Sequence, residues 1–146
     1  MNPILPSTPG SYCLLLFLSH RSTIQIGRLG LMAFKRGYYL YLGSAFGPGG
    51  VRARIQRHLM NDKKHHWHID YLREQAKVKA VWVDCASGNM EHRWAQELMD
   101  NTIECEPILK FGCSDCTCPS HLFYFKEYPD PNILHQGESV VQFRIS

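Results

Sequence analysis

One stretch constrains this chain more than any other: Gly37–His58, reading GYYLYLGSAFGPGGVRARIQRH. Tyr39, Leu40, Tyr41 and Leu42 alternate aromatic and aliphatic side chains, which favours a β-strand. The strand gives out at Gly43, and the small, flexible loop Ser44–Gly50 follows. From Val51 the period becomes helical, with Val51, Ile55 and Leu59 on one stripe and Arg54 and His58 stacked beside it. A strand, a glycine-rich loop and a helix carrying Arg and His at its apolar border make a seat for a phosphate.

The rest of the chain supplies a frame for that seat. Its 146 residues suit a single domain, 1–146, without internal repeat or long linker. Ser11–Ser19 reads as a buried strand, Thr23–Ile26 as a second, and Gly27–Lys35 as a returning loop. Helices are expected at Val51–Met60, His65–Gln75 and Met90–Met99, the last capped by Ser87-Gly88-Asn89. Val78–Val83 and His121–Phe125 read as strands, and Val140–Ile145 as an edge strand. Ile108–Phe111 is a short apolar segment.

Composition bounds the setting. No apolar run reaches the length of a membrane span, and Met1–Ser19 lacks the basic start and cleavage site of a signal peptide. The net charge of +3 allows a polyanionic partner without demanding one. Four of the six cysteines fall between Cys105 and Cys118, which favours reduced thiols or a metal site in the cytosol over a disulfide framework.

Tyr41-Leu42-Gly43 followed by Val51-x-x-Arg54-x-x-x-His58 resembles the second motif and following helix of the GIY-YIG nucleases, with Gly10-Ser11-Tyr12 as the first motif. More closely, the chain resembles a branch of that superfamily described as a domain of unknown function and sometimes fused to endonuclease III-type repair glycosylases. That likeness runs from Gly10 to about Phe125, through Trp67-His68-Ile69-Asp70-Tyr71 and Phe111-Gly112-x-Ser114-Asp115-Cys116. The spacer between Tyr12 and Tyr41 is longer than in most of the family and leaves room for an extra hairpin, a feature the closer branch shares. The resemblance implies an α/β (α+β) fold, a small central antiparallel sheet flanked by helices with an extra N-terminal hairpin. It also implies a metal-dependent endonuclease acting on DNA, in repair or processing, with Mg²⁺ or Mn²⁺ as cofactor and a repair protein as a further partner.

The candidate catalytic residues are Tyr12, Tyr41, Arg54, His58 and Glu91. Arg54 offers a planar fork that holds two phosphate oxygens and offsets charge in a hydrolytic transition state. In the family a motif tyrosine takes a proton from the attacking water. A free phenol, with a pKa near ~10, needs a neighbouring cation to do so, and Arg54 or a metal is the candidate. His58 is a candidate donor to a phosphate oxygen or an orienter of Tyr12. The family requires one carboxylate as metal ligand. Glu91 and Glu97 flank the apolar stripe of the third helix on opposite edges, and Glu91, in the first turn, is preferred because the helix dipole favours its ionised form. In the branch motif, His68 and Asp70 are expected to support the site rather than to ligate.

Cys113-x-x-Cys116-x-Cys118-x-x-His121 collects soft thiolates and an imidazole that could close a tetrahedral Zn²⁺ site. The alternative is a buried loop in which Asp115, Ser120 and His121 bond backbone groups. Two further readings of the whole chain stand beside the nuclease: an inactive nucleic-acid-binding module and a small zinc-stabilised interaction domain.

Overall fold

A computed structural model of the chain describes residues 4–60, 64–101, 103–113, 118–134 and 139–145. Its centre is β1 (Gly10–Leu18), which pairs antiparallel with β4 (Gly37–Ala45) on one side and β5 (Lys77–Asp84) on the other. Being covered on both faces, β1 reads as a continuous apolar run rather than an alternating one. Strands β6 (Glu106–Pro107), β7 (Leu122–Phe125) and β8 (Val141–Arg144) complete a six-stranded antiparallel sheet in the order β6-β7-β4-β1-β5-β8.

The period-two alternation of the strands divides the core in two. On one face, Tyr12, Leu14 and Leu16 pack with Tyr39 and Tyr41, under Val51 and Ile55 of α1 (Gly50–Leu59) and Ile69 and Leu72 of α2 (His68–Arg73). On the other, Cys13, Leu15, Leu40 and Trp82 meet Trp94 and Leu98 of α3 (Glu91–Asp100). Helices α1 and α3 therefore approach the sheet from opposite sides.

The spacer between the two tyrosine strands folds as a separate two-stranded hairpin, β2 (Ser22–Gln25) and β3 (Leu31–Phe34). It leaves β1 and β4 as direct neighbours. Strand β3 lies in the segment expected to be a loop. Leu31 is 71% exposed there while Phe34 enters the core, so the strand shows little apolar alternation. The second helix is shorter than the expected His65–Gln75, because the backbone N–H groups of His66 and Trp67 donate to the Asp70 carboxylate ahead of its first turn.

The lead-in before β1 has a definite task. Val51 N–H donates to Thr8 O at 3.0 Å and Arg52 N–H to Pro6 O at 2.8 Å, so the first turn of α1 finds its acceptors in that segment. Gly50 has a left-handed φ of 60°, and a side chain there would strike the carbonyls of Ser7 and Thr8. No helix among the described residues is long and apolar enough to cross a membrane.

Candidate active site

The site lies where β1 begins and β4 ends. Tyr12 faces Gly43 across the pair and Tyr41 faces Leu14, so both rings emerge on the face covered by α1. Gly43 is there for space. A Cβ at this position would overlap the Tyr12 phenol and come within 2.9 Å of its Cε1, so only glycine lets the ring lie across β4. One turn apart on α1, Arg54 and His58 then reach the same ring from above. Tyr12 Oη lies 2.7 Å from His58 Nε2, and the Arg54 guanidinium is near enough to the same phenol to favour its ionised form. Arg54 Nη1 also donates to Ser44 O at 3.2 Å.

From the opposite face comes Glu91. The start of α3 is anchored to β1 by the Ser11 hydroxyl, which accepts Met90 N–H at 2.8 Å, while Asn89 Oδ1 accepts Glu91 N–H at 3.2 Å. Glu91 Oε2 lies 2.8 Å from His121 Nδ1, and Ser44 is a further polar neighbour that favours its ionised form. Burial alone would raise the Glu91 pKa, but His121 and Ser44, with the neighbouring imidazole charge, hold it below the ordinary carboxylate value.

Tyr12, Tyr41, Arg54, Trp67, Glu91 and His121 are among the residues lining one cavity of about 270 Å³. Four of the five expected catalytic residues are thus brought together at its wall. His58 is wholly buried and stands behind Tyr12 rather than at the surface of the cavity. Glu91 lines the cavity and Glu97 does not.

The phenols depart from expectation. Burial raises the Tyr12 pKa well above its ordinary value despite the counteracting effect of Arg54, and burial does the same to Tyr41. The expected lowering by Arg54 is present but is outweighed, because the ring sits 1% exposed in the core. Both tyrosines therefore remain protonated near neutral pH.

Asp70 and His68 build the outer wall. Asp70 accepts both Arg57 guanidinium nitrogens at 3.1 Å, His66 N–H at 2.8 Å and Trp67 N–H at 2.9 Å. Trp67 is consequently held with the guanidinium carbons of Arg54 and Arg57 at 4.8 and 4.3 Å from its ring centroid. His68 Nδ1 accepts Gly112 N–H at 2.8 Å, which ties α2 to the loop before β7.

The expected Cys113, Cys116, Cys118 and His121 cluster takes a different form. Cys116, with Ser114 and Asp115, lies outside the described residues. Cys118 and His121 instead join His92 of α3, and one ligand atom from each lies within 4.8 Å of the others, a trio that could hold a metal ion. Cys113 is not part of this trio; its thiol lies 3.5 Å from Phe111 O. Ser120 accepts Leu122 N–H at 2.9 Å and reaches Ile108 O at 2.6 Å, as expected of a loop residue bonding backbone. His92 and Ser44 escaped the sequence reading, because neither carries a spacing signal and each depends on the approach of α3 to β4.

No curated protein and no solved structure gives a significant match to the chain. A family model does, the one described as Domain of unknown function DUF123, over residues 11–141. With that model spanning nearly all of β1 to β8, the chain belongs to the DUF123 family.

Proposed function

We propose that this protein is a metal-dependent nuclease of the GIY-YIG type that hydrolyses DNA phosphodiester bonds in repair or processing. One observation carries the reading: Tyr12, Tyr41, Arg54 and Glu91, from two strands and two helices on opposite faces of the sheet, line a single cavity of about 270 Å³. Arg54 is the fork for the phosphoryl oxygens, and its charge opposes the negative charge that grows in hydrolysis. Glu91 is kept ionised by its partners and offers oxygen to a hard cation, Mg²⁺ or Mn²⁺, an ion that commonly keeps several waters and few protein ligands. Such an ion supplies Lewis acidity at a phosphoryl oxygen.

Because Tyr12 stays protonated, it acts as a relay and not as a free phenolate. Tyr12 Oη lies 2.7 Å from His58 Nε2, and in the tautomer that leaves Nε2 unprotonated a water that hands its proton to Tyr12 sends the phenol proton on to the imidazole. DNA is the macromolecular partner in this reading, met in the cytoplasm and with a repair protein to deliver the chain. A second cavity of about 850 Å³ shares Trp67 and His68 with the first and includes Arg28 and Lys110, which suits a flanking backbone.

The high pKa of both phenols favours one other reading, a module that binds nucleic acid without cutting it. A panel of labelled duplex, branched and single-stranded DNA with Mg²⁺ or Mn²⁺ separates the two. Native protein and Glu97→Gln should cleave at least one substrate, while Glu91→Gln binds but does not cleave. Binding without cleavage by the native protein in every metal tested would leave only the binding module.

A further inference from the structure

The cluster beside Glu91 has a donor set unlike that of a Mg²⁺ site. His92 projects from the first turn of α3, and Cys118 and His121 from the segment leading into β7, yet His92 Nδ1 and Cys118 Sγ are 2.8 Å apart. The His92 and His121 rings lie 5.8 Å apart at 66°, so two imidazoles and a thiol from separate parts of the chain face one another. We infer that His92, Cys118 and His121 bind a thiophilic transition-metal ion of the Zn²⁺ class, with Glu91 as the carboxylate that orients His121.

Three features support this assignment. The first is chemical: two imidazoles and a thiolate select borderline or soft ions, whereas Mg²⁺ and Mn²⁺ prefer oxygen. The second is spacing. Tetrahedral Zn–N and Zn–S bonds place ligand atoms roughly 3.3–3.8 Å apart. The three ligand atoms here lie within 4.8 Å of one another, with His92 Nδ1 and Cys118 Sγ nearer than that range at 2.8 Å, so an adjustment of the exposed His92 ring is what brings the set to tetrahedral spacing. The third is the partner of His121. Its Nδ1 lies 2.8 Å from Glu91 Oε2, so the ring nitrogen it would offer to a metal is Nε2. A carboxylate behind a ligating histidine fixes the ring and its tautomer, the usual outer support of a protein metal centre.

Three protein ligands leave one coordination position for water or for a fourth donor. The ion would join α3 to the segment before β7 and so fix the Glu91–His121 pair at the wall of the cavity. The inference does not depend on nuclease activity, since a binding module would bear the same ion.

The test uses the full chain, stripped with chelator and titrated with Zn²⁺ or Co²⁺. Native protein should retain one Zn²⁺ per chain after dialysis. It should also develop a thiolate-to-cobalt charge-transfer band that saturates at one equivalent of Co²⁺. Cys118→Ser should remove the band and His92→Ala should abolish stoichiometric zinc, whereas Cys85→Ser should change neither. Glu91→Gln should weaken Zn²⁺ by roughly 10–100-fold and keep the band. Native protein with neither retained zinc nor a cobalt–thiolate band would overturn the inference without recourse to any variant. So would a band that survives Cys118→Ser and His92→Ala but disappears in Cys113→Ser or Cys116→Ser.

Discussion

Replacing Asp70 with Asn removes one negative charge and almost no volume, which makes the role of that carboxylate measurable. Asp70 is 1% exposed and accepts four hydrogen bonds, two from the Arg57 guanidinium and two from the backbone of His66 and Trp67. An amide can keep its oxygen toward the backbone donors only by turning its NH₂ against Arg57. One bond to a charged partner is then lost, at about 1.5–3 kcal/mol, and the remaining ones lose their charge assistance. The Arg57 side chain is 28% exposed and recovers part of its hydration, so we expect a net cost of about 2–4 kcal/mol. Thermal unfolding should fall by roughly 5–12 °C at neutral pH. The pH dependence gives a second check. Hydrogen bonds from Arg57 and the backbone, with the Arg57 charge, overcome the opposing effect of burial and hold the Asp70 pKa below its ordinary value. Its contribution is therefore complete above the unfolded value near ~3.9 and is lost as pH falls through the lower folded value. The gap between native and Asp70→Asn proteins should stay constant from pH 7 to about 5 and shrink below about 4. A variant that melts within about 2 °C of the native protein at pH 7 would refute the argument that this carboxylate joins α1 to α2.

Other outcomes follow from the same geometry. Gly43→Ala should push the Tyr12 ring away from His58 and cost about 1–3 kcal/mol in chemical denaturation; an unchanged midpoint would mean the ring has free space. Arg54→Lys should preserve the melting temperature but reduce cleavage by roughly 10²–10³-fold, since a point charge replaces a fork. Near-native turnover at saturating Mn²⁺ would remove Arg54 from the chemistry. Arg28→Ala with Lys110→Ala should weaken DNA binding similarly for all sequences and lower its salt slope by about 1–2; an unaltered slope would place the DNA elsewhere.

The strand and helix of Gly37–His58 were legible because each carries its own period, but β4 runs through Gly43 to Ala45, since that glycine makes room for the Tyr12 ring and does not end the strand. Tyr12, Tyr41 and Arg54 followed from that stretch and its resemblance, and the antiparallel sheet flanked by helices was expected on the same grounds. The preference for Glu91 over Glu97 rested on the helix dipole alone, whereas in the structure its partners are His121 and Ser44, distant in sequence. His92 was invisible for the same reason: its neighbour Cys118 is 26 residues away. The opposing effect on the phenols was not legible, because a sequence displays the nearby cation, Arg54, but not the depth of burial that outweighs it at Tyr12. Strand β6 is only two residues long and carries no periodicity to read.

The lead-in ahead of β1 bears on the order in which the molecule assembles. Helix α1 is ten residues long, too short to persist alone in water, and two amides of its first turn, those of Val51 and Arg52, find their acceptors in the carbonyls of Thr8 and Pro6. Those acceptors are more than forty positions upstream, so this helix end closes only after a long loop has been brought together, a late event on entropic grounds. The amides of Val51 and Arg52 then report long-range docking and not local helix formation. Their exchange with solvent should be governed by detachment of the lead-in, an opening that leaves the sheet intact.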